Sequence, residues 1–220
     1  MPRFVDFSHV IVDGQPCYPG LPAPVVCDYL THEASRALYA PGTEFHIGRV
    51  ELVTNSGTNV DCPFHRYADG RDVASMPIER FVNLPALVVR ATARRGRAID
   101  ADAFAGCDVR GRAVLVHTGW DTHWGTPAYF SGHPYLTEHA AARPGDDGPV
   151  LVGIDSLNID AIDGPTRPVH TVLLREEILI AEHLRGLDAL PDEAFTFTAV
   201  PPKIAGVGTF PVRAFATVPD

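Results

Sequence analysis

The sequence predicts a mixed β-sheet core with a few flanking helices, class α/β or α+β. Three observations carry that expectation. Strand-like apolar runs recur along the 220 residues, whereas helical patterns are few. Two of the runs, Ala113–His117 and Val150–Ile154, are almost wholly apolar, as strands covered on both faces are. Glycine (19) and proline (20) together exceed the roughly 12% of an average chain. That excess implies many turns and excludes a helical bundle.

Taken in order, Phe4–Phe7 opens the chain as a strand and a long loop follows over 14–44. Ile47–Val53 is the next strand, and a second long loop covers 55–80. Leu87–Ala91 reads as a strand, and Asp100 is placed to cap a short helix through Phe104. Strand Ala113–His117 leads into a third loop over 119–134. Pro134 suits the first turn of a helix running to Ala142. After Val150–Ile154, a helix begins near His170 with Leu173 and Leu174 as its apolar positions. Phe195–Val200 and Val212–Val218 close the series as strands. The length fits a single domain over 1–220. Loops this long inside a compact domain are often functional.

Positive side chains number 18 and negative ones 27, for a net charge of −9. That balance argues against a nucleic-acid or anionic-membrane partner, which a basic patch would serve. No apolar run is long enough for a signal peptide or a membrane span. Cys17, Cys27, Cys62 and Cys107 contain no CxxC pair and are too few for a disulfide scaffold. A soluble, cytoplasmic protein is the simplest expectation. The segment from Gly206 to Phe210 lacks the third glycine of a dinucleotide fingerprint, and no GxSxG elbow or Walker A sequence is present.

The segment from Asn55 to His65, NSGTNVDCPFH, is the most informative. Asn59 and Asp61 are two apart and share a face if the chain is extended there. Pro63 biases Cys62 toward extended backbone as well. Asp61 and His65 can then converge, as a carboxylate and an imidazole must to bind a metal or share a proton. The competing reading makes Asn and Asp turn residues and His65 a surface side chain.

The segment resembles the signature H-x-G-T-H-x-D-x-P-x-H of the kynurenine formamidase-like, or cyclase, family of metal-dependent hydrolases. Gly57, Thr58, Asp61, Pro63 and His65 match it. A downstream His and, twelve residues later, a Glu complete the family's metal site; His170 and Glu182 stand at that separation. Residues 116–125, 153–160 and 199–203 extend the likeness. The resemblance implies an α/β fold of the swivelling β/β/α type, a homodimer or larger assembly such as a tetramer, and hydrolysis or ring closure at a carbonyl C–N or C–O bond. Arylformamides, cyclic amides and lactones are the implied substrates. It also implies that Asp61, His65, His170 and Glu182 surround metal, and that His65 shuttles protons.

Two signature histidines are replaced, by Asn55 and Asn59. A carboxamide oxygen is a weak, uncharged ligand beside an imidazole. Three readings stay open. One divalent ion, Zn or Mn, survives, with Asn55 and Asn59 turned to the substrate as hydrogen-bond donors. Alternatively the site is metal-free and His65 works with Asp61 as an acid–base pair. In the third, the fold persists as a catalytically inactive small-molecule binder. Cys62 reads as a buried filler, since neighbours on an extended chain face opposite ways. His117, His123, His133 and His139 match no common zinc spacing. Trp120, Trp124, Tyr129 and Phe130 among them suggest an aromatic substrate wall; a loop packed on the core or a partner subunit is the alternative.

Overall fold

The computed structural model describes residues 1–142 and 148–220. The chain starts with β1 (Arg3–Asp6), then runs through β2 (Val25–Leu30), the single turn α1 (His32–Ser35) and β3 (Ile47–Glu51). Next come β4 (Asn59–Asp61), β5 (Leu84–Arg90), β6 (Ala98–Ile99), β7 (Ala113–His117), β8 (Tyr135–Leu136) and α2 (Glu138–Ala141). The last third holds β9 (Leu151–Ile154), α3 (Pro168–Arg175), β10 (Leu179–Glu182), β11 (Phe195–Thr198), β12 (Thr209–Pro211) and β13 (Phe215–Val218).

Among the described residues, nine strands form one mixed sheet in the order β1-β13-β11-β5-β7-β9-β10-β4-β12. Its centre, β5-β7-β9-β10, is parallel, and both wings are antiparallel. The mixed sheet agrees with the fold class expected from the sequence. Side chains alternate across a strand, so β7 sends Leu115 into one core and Val114 and Val116 into the other. The first core gathers Phe7, Val60, Leu151, Leu179 and Phe197. The second gathers Ile154 and Ile180 under α3, which contributes Val169, Leu173 and Leu174. Burial of each such side chain contributes about 1.5–3 kcal/mol. That packing sustains an eight-residue helix too short to persist alone.

Several boundaries differ from the sequence expectations. The loop expected over 14–44 contains β2 and α1, and the one over 55–80 contains β4. β3 matches the strand expected from Ile47 but ends at Glu51; its partner β2 was not expected, because it is largely exposed and no inside–outside alternation marks it. The helix expected from Pro134 to Ala142 is divided. Tyr135–Leu136 pairs with β6, and Thr137 then caps the short α2 by accepting from the Ala140 N–H. Asp100 does cap a turn, a 3-10 helix over Ala101–Phe104. The strand expected over 212–218 begins only at Phe215. β10 was not anticipated, because its apolar run continues straight from the end of α3.

Gly208, just before β12, lies where two backbones touch. A Cβ there would sit 2.2 Å from the His65 nitrogen and 2.5 Å from its Cα. The Cys62 N–H donates to the Gly208 carbonyl across the same seam at 2.7 Å. Gly208→Ala is therefore expected to displace His65 and cost about 1–3 kcal/mol, typical of forcing atoms into a packed contact. Urea unfolding would show this as a lower midpoint; a wild-type midpoint would mean that the seam yields freely.

Candidate active site

β4 is a short strand locked between two neighbours. Its register sets Asn59 opposite Glu182 of β10 and Asp61 opposite Thr209 of β12. Val60 turns to the first core, so Asn59 and Asp61 share the other face with Glu182 and Thr209. The start of α3 covers that face and brings in His170.

Asp160 holds His170 in place. Its carboxylate accepts from the Val169 and His170 backbone N–H groups at 2.8 and 3.0 Å, and from His170 Nδ1 at 2.7 Å. A carboxylate at a helix start satisfies free N–H groups and favours the positive end of the helix. With Nδ1 donating to Asp160, Nε2 faces Asp61 Oδ2 at 3.4 Å and Glu182 Oε1 at 3.6 Å. Glu182 is buried on a strand, β10. Its Oε1 accepts from the Ile159 N–H at 2.7 Å. Asp61 Oδ1 accepts from the Thr209 hydroxyl at 2.6 Å, while Oδ2, fully buried, has no hydrogen-bond partner.

His65 ends the 3-10 turn Pro63–His65 and is exposed. Its ring lies 5.8 Å from that of His170. Asp61, His65 and His170 each bring one donor atom within 4.8 Å of the others, the one such trio among the described residues. Asn55, His65, His170 and Glu182 line a cavity of about 360 Å³ together with Tyr18, Arg66, Asn158, Arg167 and His183. Asn59 donates to the Gly57 carbonyl at 2.9 Å and leaves its Oδ1 buried without a partner. What Asn59 leaves unmet is thus an acceptor.

The charges are unbalanced. Asp61, Asp160 and Glu182 surround one imidazole. Burial alone would lower the His170 pKa, but the hydrogen bond to Asp160 and the negative charges of Asp61 and Glu182 push it up to about 10. Burial would raise Asp61, but the charges of His65 and His170 hold it below the usual carboxylate range. Burial, helped by the Asp61 charge, pushes Glu182 up to about 8. Excess negative charge in a dry site calls for a proton or a cation.

The remaining sequence candidates fall around this centre. Trp120 donates from Nε1 to the Tyr129 carbonyl at 3.0 Å. Trp124 stacks on His9, with ring centroids 4.1 Å apart, and meets His183 edge-on at 5.7 Å. Neither indole is among the residues that line the cavity; Trp124 touches it through His183. His117, His123, His133 and His139 scatter to separate partners, His133 to the Asp160 carbonyl and His139 to Asp100. Cys62 is fully buried in the first core, and burial pushes its thiol up to about 12, as suits a filler. Sequence reasoning passed over Asp160 and His183 as site residues. Asp160 does lie in the quoted 153–160 segment, and His183 directly follows Glu182.

The model of the Cyclase family matches residues 5–161. The chain belongs to that family. The cyclase is 30% identical over 222 residues to a kynurenine formamidase of Maricaulis maris, covering 97% of each protein. It is 27% identical to one of Paracidovorax citrulli, over 99% of this chain and 98% of the relative. An isatin hydrolase bound to the product analogue thioisatinate has the same fold, with a TM-score of 0.84 at 22% identity over 100% of this chain and 93% of its own. Isatin hydrolase A from Ralstonia solanacearum gives 0.83 at 23% identity, over 99% and 92%. The cyclase is an enzyme of the hydrolase or cyclase kind that acts on small molecules. Among the described residues, no helix is long and apolar enough to cross a membrane.

Burial beside Arg185 pushes the His9 pKa down to about 4 from 6.5. A histidine held neutral in the fold but free to charge when unfolded stabilises above its unfolded pKa and loses that contribution as pH falls. The thermal midpoint should therefore drop between pH 6.5 and about 4. His9→Phe keeps the stack on Trp124 and is expected to flatten that drop. An unchanged slope in thermal melts across this range would assign the acid lability to other groups.

Proposed function

We propose that this cyclase hydrolyses a C–N bond at the carbonyl of a small aryl substrate, an arylformamide or cyclic amide, with one divalent ion, Zn or Mn, held by Asp61, His170, Glu182 and His65. The buried, partnerless Asp61 Oδ2 carries this reading. It lies 3.4 Å from His170 Nε2. That separation suits two ligands sharing one ion at roughly 2.0–2.2 Å. Two imidazoles and two carboxylates form a donor set that Zn or Mn accepts. Such an ion, when bound, makes water a nucleophile at neutral pH and polarises the carbonyl.

The chain's own residues do the rest. Asp160 fixes the ring of His170 and leaves Nε2 as its free nitrogen. His65, exposed at the cavity wall, carries a proton between water and the leaving group. Asn55 supplies a hydrogen-bond donor to the substrate, and Asn59 supplies its buried oxygen to the floor of the site. Trp120 and Trp124 shape the aromatic wall from one layer behind, through Tyr129 and His183. Arg66 and Arg167 on the cavity wall favour a substrate bearing a carboxylate. The relatives' names make N-formylkynurenine and isatin the first compounds to assay.

Protein purified without chelator should contain close to one equivalent of Zn or Mn and turn over one of these compounds. Asp61→Ala and His170→Ala should lose the metal and lower the rate by more than the 10–100-fold, roughly, that losing a ligand's hydrogen-bond partner costs. Turnover that persists with less than about 0.1 equivalent of metal would establish the metal-free His65–Asp61 reading instead. Tight ligand binding without turnover would mark a non-catalytic descendant.

A homo-oligomer, dimer or tetramer, is part of the same proposal. The excursion through β2, α1 and β3 exposes Tyr29, Leu38, Phe45 and Val50, at 75, 66, 53 and 59%. Apolar side chains clustered this way mark an association surface. Light scattering should give at least a dimer mass, and Tyr29→Glu with Phe45→Glu should reduce it. A monomeric wild type would refute this part. The four unpaired cysteines suit a cytoplasmic location.

A further inference from the structure

We infer that Tyr129 fixes His183 as the tautomer protonated on Nε2, so that His183 presents an N–H donor to the substrate carbonyl in the cavity. Tyr129 is fully buried, and its hydroxyl lies 2.9 Å from His183 Nδ1. A buried phenolic O–H must donate to an acceptor. Among the described residues, His183 Nδ1 is the acceptor within reach. Tyr129 therefore donates to Nδ1, and Nδ1 carries no proton. A doubly protonated ring would leave the Tyr129 proton without an acceptor, so the ring is neutral and its single proton sits on Nε2. Among the described residues Nε2 has no hydrogen-bond partner, and His183 is one of the residues that line the cavity.

The rest of the molecule holds the ring in this pose. His183 has a left-handed backbone, φ 55°, which is uncommon for a residue other than glycine. Its carbonyl accepts from the Thr58 hydroxyl at 2.6 Å, and its N–H donates to the Ser156 carbonyl at 3.3 Å. Trp124 presses edge-on against the ring. Thr58 belongs to the signature segment, so the loop that carries Asp61 also pins His183. A donor at this point has a clear use. Asp61, Glu182 and Asn59 offer free or charged oxygens, and a carbonyl gaining negative charge needs the opposite. Tyr129 is a positioning residue in this scheme, and His183 contacts the substrate.

The contact with substrate rests on the hydrolase reading above; the tautomer does not. Nitrogen-15 NMR of the zinc-loaded protein should show His183 protonated on Nε2, and Tyr129→Phe should shift the proton partly to Nδ1. A proton on Nδ1 in the wild type would overturn the inference, as would an unmoved Nε2 proton in Tyr129→Phe. With N-formylkynurenine as substrate, Tyr129→Phe should lower kcat about 10-fold, with KM changed less than about twofold. His183→Asn, whose short amide tolerates the left-handed backbone, should lower kcat by about 100-fold, the usual scale for losing one such donor. Unchanged kcat in both variants would remove the role toward substrate. A wild type inactive on N-formylkynurenine and isatin would sink the hydrolase reading and the substrate contact with it, while the NMR signal would still decide the tautomer.

Discussion

One carboxylate organises the centre of this molecule. Asp160, in the loop between β9 and α3, takes the first N–H groups of α3, and takes His170 Nδ1 as well. The same interaction starts a helix and aims an imidazole. Without it the helix start would carry unmet N–H groups, and His170 would be free to turn. Because α3 is short and rests on Ile180, its placement and the orientation of His170 are one problem with one solution.

The sheet solves the other half. Antiparallel pairing of β4 with both β10 and β12 lines up Asn59, Asp61, Glu182 and Thr209 on one face, although they come from three distant parts of the chain. A slip of β4 by one residue would turn Asn59 and Asp61 into the opposite core, away from Glu182 and Thr209. That core is filled by Val60, Ala181 and their neighbours, so the apolar pattern protects the polar register. Close contact at Gly208 tightens the seam from outside the sheet. Packing energy thus holds carboxylates where their mutual repulsion would otherwise spread them.

Replacement of two signature imidazoles by Asn55 and Asn59 changes the balance rather than erasing it. Both amides remain at the site, one lining the cavity and one buried beside Glu182. Three carboxylates remain as well, and they outnumber the positive charge one imidazole can carry. Behind them lies a second layer of rings, His9, Trp124, Tyr129 and His183, which are stacked or hydrogen-bonded to one another. The aromatic loop of residues 119–134 therefore acts on the cavity through His183 rather than by lining it directly.

Much of the chemistry was legible in the residues alone. The likeness of Asn55–His65, and of the His170–Glu182 pair, to the cyclase-family signature named the side chains that lie together in the structure. The apolar runs of β7 and β9 announced strands covered on both faces. β2 and β10 were not legible: the first is exposed and pairs only with β3, and the second merges with the end of a helix. Asp160, and the pairing of Tyr129 with His183, were hidden for a different reason. Asp160 acts on His170 across ten residues, and Tyr129 reaches His183 across 54. The sequence by itself determined which donors and acceptors the site can use. Only the tertiary structure decided which atoms they present, because a hydrogen bond's direction depends on partners that sheet register and helix packing bring together.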